Sequence, residues 1–157
     1  MPKSSGILND VLGNLVFLPY NTDTAFDLIR VNKDDLAAVI IEPVQGSNPR
    51  DDISGFLEDL RQVTKDSSIL LIFDEVITGF RLALGGGQER FRISADIVTY
   101  GKSVGGGLPI GVLSAAPQIL SFIAAKKVGE KLSFFNGGTF SANPLTMAAG
   151  LAVVKYL

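Results

Sequence analysis

Ile69-Leu70-Leu71-Ile72-Phe73 runs five apolar residues straight into Asp74-Glu75-Val76-Ile77-Thr78-Gly79, and this junction decides the fold. A continuous apolar run of strand length that stops abruptly at carboxylates reads as a strand covered on both faces, as in a parallel sheet. A second such run, Leu36 to Glu42, lies upstream. Between the two, Ile53, Phe56, Leu57, Leu60 and Val63 recur at helical spacing, with Asp51 and Asp52 well placed for the helix start. Strand, helix and strand make one βαβ unit. Asp96 to Tyr100 and Ile110 to Ala115 supply two further strand candidates, followed by a helix from about Gln118 to Lys127. The last helix opens with Asn143 as its cap and Pro144 in its first turn, and its apolar face is Leu145, Ala148, Ala149, Leu151 and Ala152. The expected class is α/β, with a mainly parallel sheet flanked by helices.

Composition narrows the chemistry. A chain of 157 residues is long enough for one domain with a sizeable core, and 46% hydrophobic against 19% charged residues excludes a disordered chain. Fourteen basic and sixteen acidic side chains leave a net charge of -2, so no basic field exists to attract nucleic acid or an anionic membrane. No apolar run approaches the roughly 20 residues that span a bilayer, and the expectation is a soluble cytoplasmic protein. The absence of cysteine removes disulfides and thiolate catalysis, and the absence of histidine removes serine-histidine hydrolysis and most catalytic metal sites. No metal site is expected. Chemistry therefore rests on Lys, Asp, Glu or a cofactor. The turn-like start, Met1 to Gly6, and the apolar helical end, Leu145 to Leu157, read as part of a longer polypeptide.

Three segments place polar groups directly after expected strands, where open α/β sheets form their ligand crevice: Glu42 to Gly46, Asp74 to Gly79, and Gly101 to Gly107. Asp74 at the end of a buried run demands a cation or strong donor opposite it, because an unpaired buried carboxylate is costly. Lys102 follows a strand and precedes three glycines, so an amine sits where backbone can approach a flat ligand closely. A desolvated lysine loses its proton and attacks carbonyls. Glu42 before Pro43 reads equally as a structural residue, capping a turn or forming an ion pair, or as a residue near a ligand, and Glu75 is open between a site role and an ordinary strand-to-loop position. Gly85-Gly86-Gly87 lacks a preceding strand and is expected to be a flexible surface loop.

The stretches LLIFDEVITGFR, TYGKSVGGGLPIGVLSA and NGGTFSANPLTMAAG, in that order and spacing, resemble the class III, fold type I aminotransferases, above all glutamate-1-semialdehyde aminomutases and the aminotransferase modules of polyketide and peptide synthetases. The resemblance covers about Gly6 to Leu157. It implies that residues 1–157 form part of the large, cofactor-binding domain, without the N-terminal phosphate-loop region and the C-terminal small domain. The implied cofactor is pyridoxal 5'-phosphate (PLP), carried by Lys102 as a Schiff base, with Lys102 also moving the proton in catalysis. Asp74 would hold the pyridine nitrogen protonated, and Val76 would pack on one ring face from the same side of an extended segment. Thr139 would reach the cofactor phosphate of the neighbouring subunit, which implies a homodimer with shared active sites.

The activity so implied is transamination between an amine donor and a carbonyl acceptor, with a carrier-protein-bound compound among the substrates the resemblance allows. An aminomutase of the glutamate-1-semialdehyde type, or a truncated non-catalytic fragment, are the alternatives. Ornithine-type members carry Glu and Gln where this chain has Ser47 and Ile77, so the side chains favouring those substrates are missing. The 157 residues alone are expected to have little activity, since the phosphate grip and one wall of the site fall outside them.

Overall fold

A computed structural model describes residues 5–122 and 137–157. Helices α1 (Asn9–Leu12) and α2 (Asp23–Val31) precede strand β1 (Ala38–Ile41), and α3 (Ser54–Asp66) leads into β2 (Leu70–Glu75). After α4 (Gly86–Phe91) come β3 (Ile97–Gly101), a 3-10 turn (Lys102–Gly105) and β4 (Gly111–Ala115), then α5 (Pro117–Leu120) and α6 (Pro144–Tyr156). The sheet order is β1-β2-β3-β4, with β1, β2 and β3 parallel and β4 antiparallel to β3. The mainly parallel α/β reading holds. The helix expected from Gln118 begins at Pro117 and is seen to Leu120, while residues 123–127 of that expectation lie outside the described residues.

Helical spacing places Leu57, Leu60 and Val63 on one stripe of α3, where they bury against Leu71, Phe73 and Val98 of the sheet and Phe26 and Ile29 of α2. Alternation along β2 buries Leu71, Phe73 and Glu75 on this side and turns Leu70, Ile72 and Asp74 to the other. That second side is less covered: Ile40 of β1 is 64% exposed. The expectation of cover on both faces therefore fails among the described residues. An apolar run records the burial a strand evolved for, but α2 and α3 supply only one layer.

One finer expectation is met and another is corrected. Asp51 and Asp52 stand directly before α3, whose N-cap is Ile53 without a side-chain bond, and Arg50 donates from Nε to Asp52 Oδ1 at 2.7 Å. In α6, Asn143 Oδ1 does accept from the N–H groups of Leu145 (3.0 Å) and Thr146 (3.3 Å), with Pro144 at the first position. Its buried positions, however, are Thr146 and Gly150, whereas Leu145 and Leu151 point outward. Close approach of backbone selects this face: a Cβ on Gly150 would stand 3.0 Å from the Val104 carbonyl, and one on Gly106 would stand 3.0 Å from Val153 Cγ2. Helix α6 thus backs directly onto the turn that carries Lys102.

Candidate active site

Asp74, Val76 and Lys102 gather at the ends of neighbouring strands. In the parallel ladder, Asp74 lies opposite Thr99, and Lys102 follows β3 immediately. Strands so paired are about 4.8 Å apart, so the register brings the Asp74 and Lys102 segments together at one edge. The Thr99 hydroxyl donates to Asp74 Oδ1 at 3.3 Å, and the Val76 N–H donates to the same oxygen at 3.1 Å. The cation expected to face Asp74 is not a side chain of the described residues, where its donors are these two neutral groups. Oδ2 takes no hydrogen bond among the described residues, and no buried side-chain polar atom there is left unpaired. One carboxylate oxygen is thus fixed and the other is open to an N–H donor, as a protonated pyridine nitrogen would require.

Val76 departs from the extended path expected of it, because the chain turns directly after Glu75. Its side chain still reaches the lysine segment: a Cβ on Gly101 would meet Val76 Cγ1 at 3.4 Å. Lys102 is exposed and takes a positive φ of 49°, a left-handed conformation that costs a non-glycine residue on the order of 1 kcal/mol. Ser103, absent from the expected site, donates from its hydroxyl to the Gly79 carbonyl at 3.1 Å and so joins the lysine turn to the aspartate loop. Thr139 is exposed in the turn before α6 and has no hydrogen bond to Asp74 or Lys102 among the described residues.

Glu75 faces away from Asp74 and is fully buried. Its carboxylate accepts from the Thr78 hydroxyl at 3.2 Å, the Gly87 N–H at 2.5 Å and the Gln88 N–H at 3.2 Å. Gly86 has φ +66°, and a Cβ there would lie 2.9 Å from Glu75 Cδ. Gly86 and Gly87 are therefore buried members of a carboxylate cradle, which overturns the flexible-loop expectation for Gly85-Gly86-Gly87. The physical reason is the buried charge one residue after Asp74: it needs backbone donors at a distance only glycine allows.

Glu42 proves to be a turn cap, its Oε2 accepting from the Gly46 N–H at 2.9 Å. The Tyr20 hydroxyl donates to the Pro43 carbonyl at 3.1 Å on the same turn. Burial, with the Glu42 charge adding to it, pushes that phenol up to about 12 and keeps it a donor. The Tyr100 phenol is likewise raised, by burial and then by Glu75.

The family model for class III aminotransferases matches residues 11–157. The chain is 49% identical over 158 residues to a glutamate-1-semialdehyde 2,1-aminomutase of Methanosarcina acetivorans, covering 99% of this chain and 36% of that one. Against the same enzyme of Methanothrix thermoacetophila, identity is 44%, covering 100% and 35%. Among solved structures, an omega-transaminase from Sphaerobacter thermophilus superposes with a TM-score of 0.89 at 37% identity, covering 99% of this chain and 35% of that one. A transaminase with PLP bound superposes at 0.87 with 30% identity, covering 98% and 36%. The chain spans about a third of the length of these relatives.

Proposed function

The chain belongs to the class III aminotransferase family, and we propose that it is the cofactor-binding part of the large domain of an enzyme that moves an amino group from an amine donor to a carbonyl acceptor with PLP. When bound, the cofactor supplies the electron sink for the carbanion formed on the substrate. The residues of this chain hold and use it. Lys102 would hold the cofactor through its Nζ, and the same amine, when free, would take up and release the proton there. Asp74 offers Oδ2 to the ring nitrogen while Thr99 and the Val76 N–H hold its other oxygen. Val76 would pack against the cofactor ring, and Thr139 would hold the phosphate in the partner subunit of a cytoplasmic homodimer.

The observation that carries this reading is the open Oδ2 of Asp74 at the end of β2, beside the turn at the end of β3 that presents an exposed Lys102. A carrier-protein-bound substrate is compatible with the reading. Rearrangement within one substrate is the second reading, favoured by the 49% identity to an aminomutase. The same lysine and aspartate serve both. Incubation of a polypeptide of full family length with nitrogen-labelled amine donor separates them: transfer predicts label in a different product molecule, and label that never leaves its own carbon skeleton would refute it.

A further inference from the structure

Lys102 sits in a left-handed conformation that its neighbours must enforce, and most of those neighbours are easily named. Behind the turn, α6 presses on Val104 and Gly106 through Gly150 and Val153. Within it, the Gly106 N–H donates to the Ser103 carbonyl at 3.2 Å. In front, toward Asp74, the side-chain bond from Ser103 Oγ to the Gly79 carbonyl is the one hydrogen bond that links the lysine turn to the aspartate loop among the described residues.

The acceptor of that bond is itself anchored and closely packed. The Gly79 N–H donates to the Glu75 carbonyl at 2.9 Å, and Gly79 is packed so tightly that a Cβ would meet Tyr100 Cδ1 at 2.5 Å and the Glu75 carbonyl at 2.8 Å. Glu75 in turn is fixed by the buried cradle of Gly87 and Gln88 N–H groups. An unbroken path therefore runs from the strand end bearing Asp74, through Glu75 and Gly79, to the hydroxyl of the residue after Lys102. Only a side chain with a hydroxyl at Ser103 completes it. A glycine or an aliphatic residue there would leave the Gly79 carbonyl without this donor and the turn held from behind alone.

We propose that Ser103 is a positioning residue for Lys102: its hydroxyl ties the lysine turn to the Gly79 carbonyl and so fixes where the amine stands relative to the Asp74 carboxylate. The proposal rests on Lys102 being the cofactor-bearing lysine. It assigns Ser103 no contact with substrate or cofactor. Its consequence is that the backbone turn from which the amine projects is set in the empty protein, before any cofactor arrives.

The test uses a polypeptide of full family length freed of cofactor, as wild type, Ser103→Ala and Ser103→Thr. Three readouts are taken: amide exchange at residues 102–106, the rate at which added pyridoxal phosphate is captured, and the pH midpoint of the bound chromophore. Ser103→Ala should speed exchange at the turn, slow capture about tenfold, the scale of one hydrogen bond, and move the pH midpoint. Ser103→Thr should restore all three, whereas a merely structural role would lower the unfolding midpoint without moving chromophore or capture. An alanine variant within twofold of wild type at an unmoved midpoint, or a threonine variant that behaves like alanine, overturns the proposal. Borohydride trapping in the wild type keeps the two claims apart. An adduct at Lys102 with an indifferent Ser103→Ala sinks only Ser103, while an adduct on another lysine sinks the reading of Lys102 itself.

Discussion

Gly86→Ala should be among the most damaging single-methyl changes available in this chain, although Gly86 is distant in sequence from every residue expected to touch the cofactor. Two costs add. Alanine at φ +66° carries a left-handed penalty of about 1 kcal/mol. The new Cβ also collides with the Glu75 carboxylate, which must retreat from the N–H groups of Gly87 and Gln88. Loss of two bonds to a charged acceptor, at about 1.5 kcal/mol each or more, brings the sum to about 4 kcal/mol. Against a total stability of about 5–15 kcal/mol, that is a large share. Urea unfolding of a full-length polypeptide, followed by far-ultraviolet circular dichroism, measures it. The double variant Glu75→Ala/Gly86→Ala isolates the mechanism, because with the carboxylate gone the second methyl should add only its backbone penalty. Gly86→Ala within about 1 kcal/mol of wild type, or strictly additive costs in the double variant, would refute the cradle.

Asp74→Asn should leave cofactor occupancy nearly intact but lower turnover by several kcal/mol of barrier, at about 1.4 kcal/mol per tenfold, because an amide no longer favours a protonated ring nitrogen; an unchanged turnover number would rule this role out. Burial by itself would raise the Asp96 carboxyl, yet the hydrogen bonds from Arg61 (2.7 Å) and the Leu71 N–H (2.8 Å) outweigh it and hold it below its ordinary value. A depressed carboxyl contributes stability above its unfolded value, near 3.9, and loses it as pH falls through the folded value. Arg61→Met should therefore cost about 1–2 kcal/mol at neutral pH, with the gap from wild type closing below about pH 4; a gap that stays constant to pH 2.5 would contradict the pairing.

Apolar runs made two of the three parallel strands legible, because strand burial is written in consecutive residues. The antiparallel return of β4 was not so written, since direction depends on where the chain next turns. Asp74 and Lys102 could be found as polar groups standing at strand ends. Thr99 could not, because only the pairing register puts it opposite Asp74. Glu75 could be assigned to the face opposite Asp74 by alternation, but two of its three donors are the backbone N–H groups of Gly87 and Gln88, twelve and thirteen residues later. For α6, hydrophobicity pointed to Leu145 and Leu151, whereas contact with the lysine turn is decided by the missing side chain of Gly150. Close approach leaves no hydropathy signal. Ser103 shows the same limit, its role lying in a carbonyl 24 residues away.

The central claim is that Lys102 carries the cofactor. A polypeptide of full family length, loaded with PLP, reduced with borohydride and digested, should yield one pyridoxyl-bearing peptide, with the label on Lys102. Lys102→Ala should give none. A label on another lysine, or one that persists in Lys102→Ala, would contradict the account.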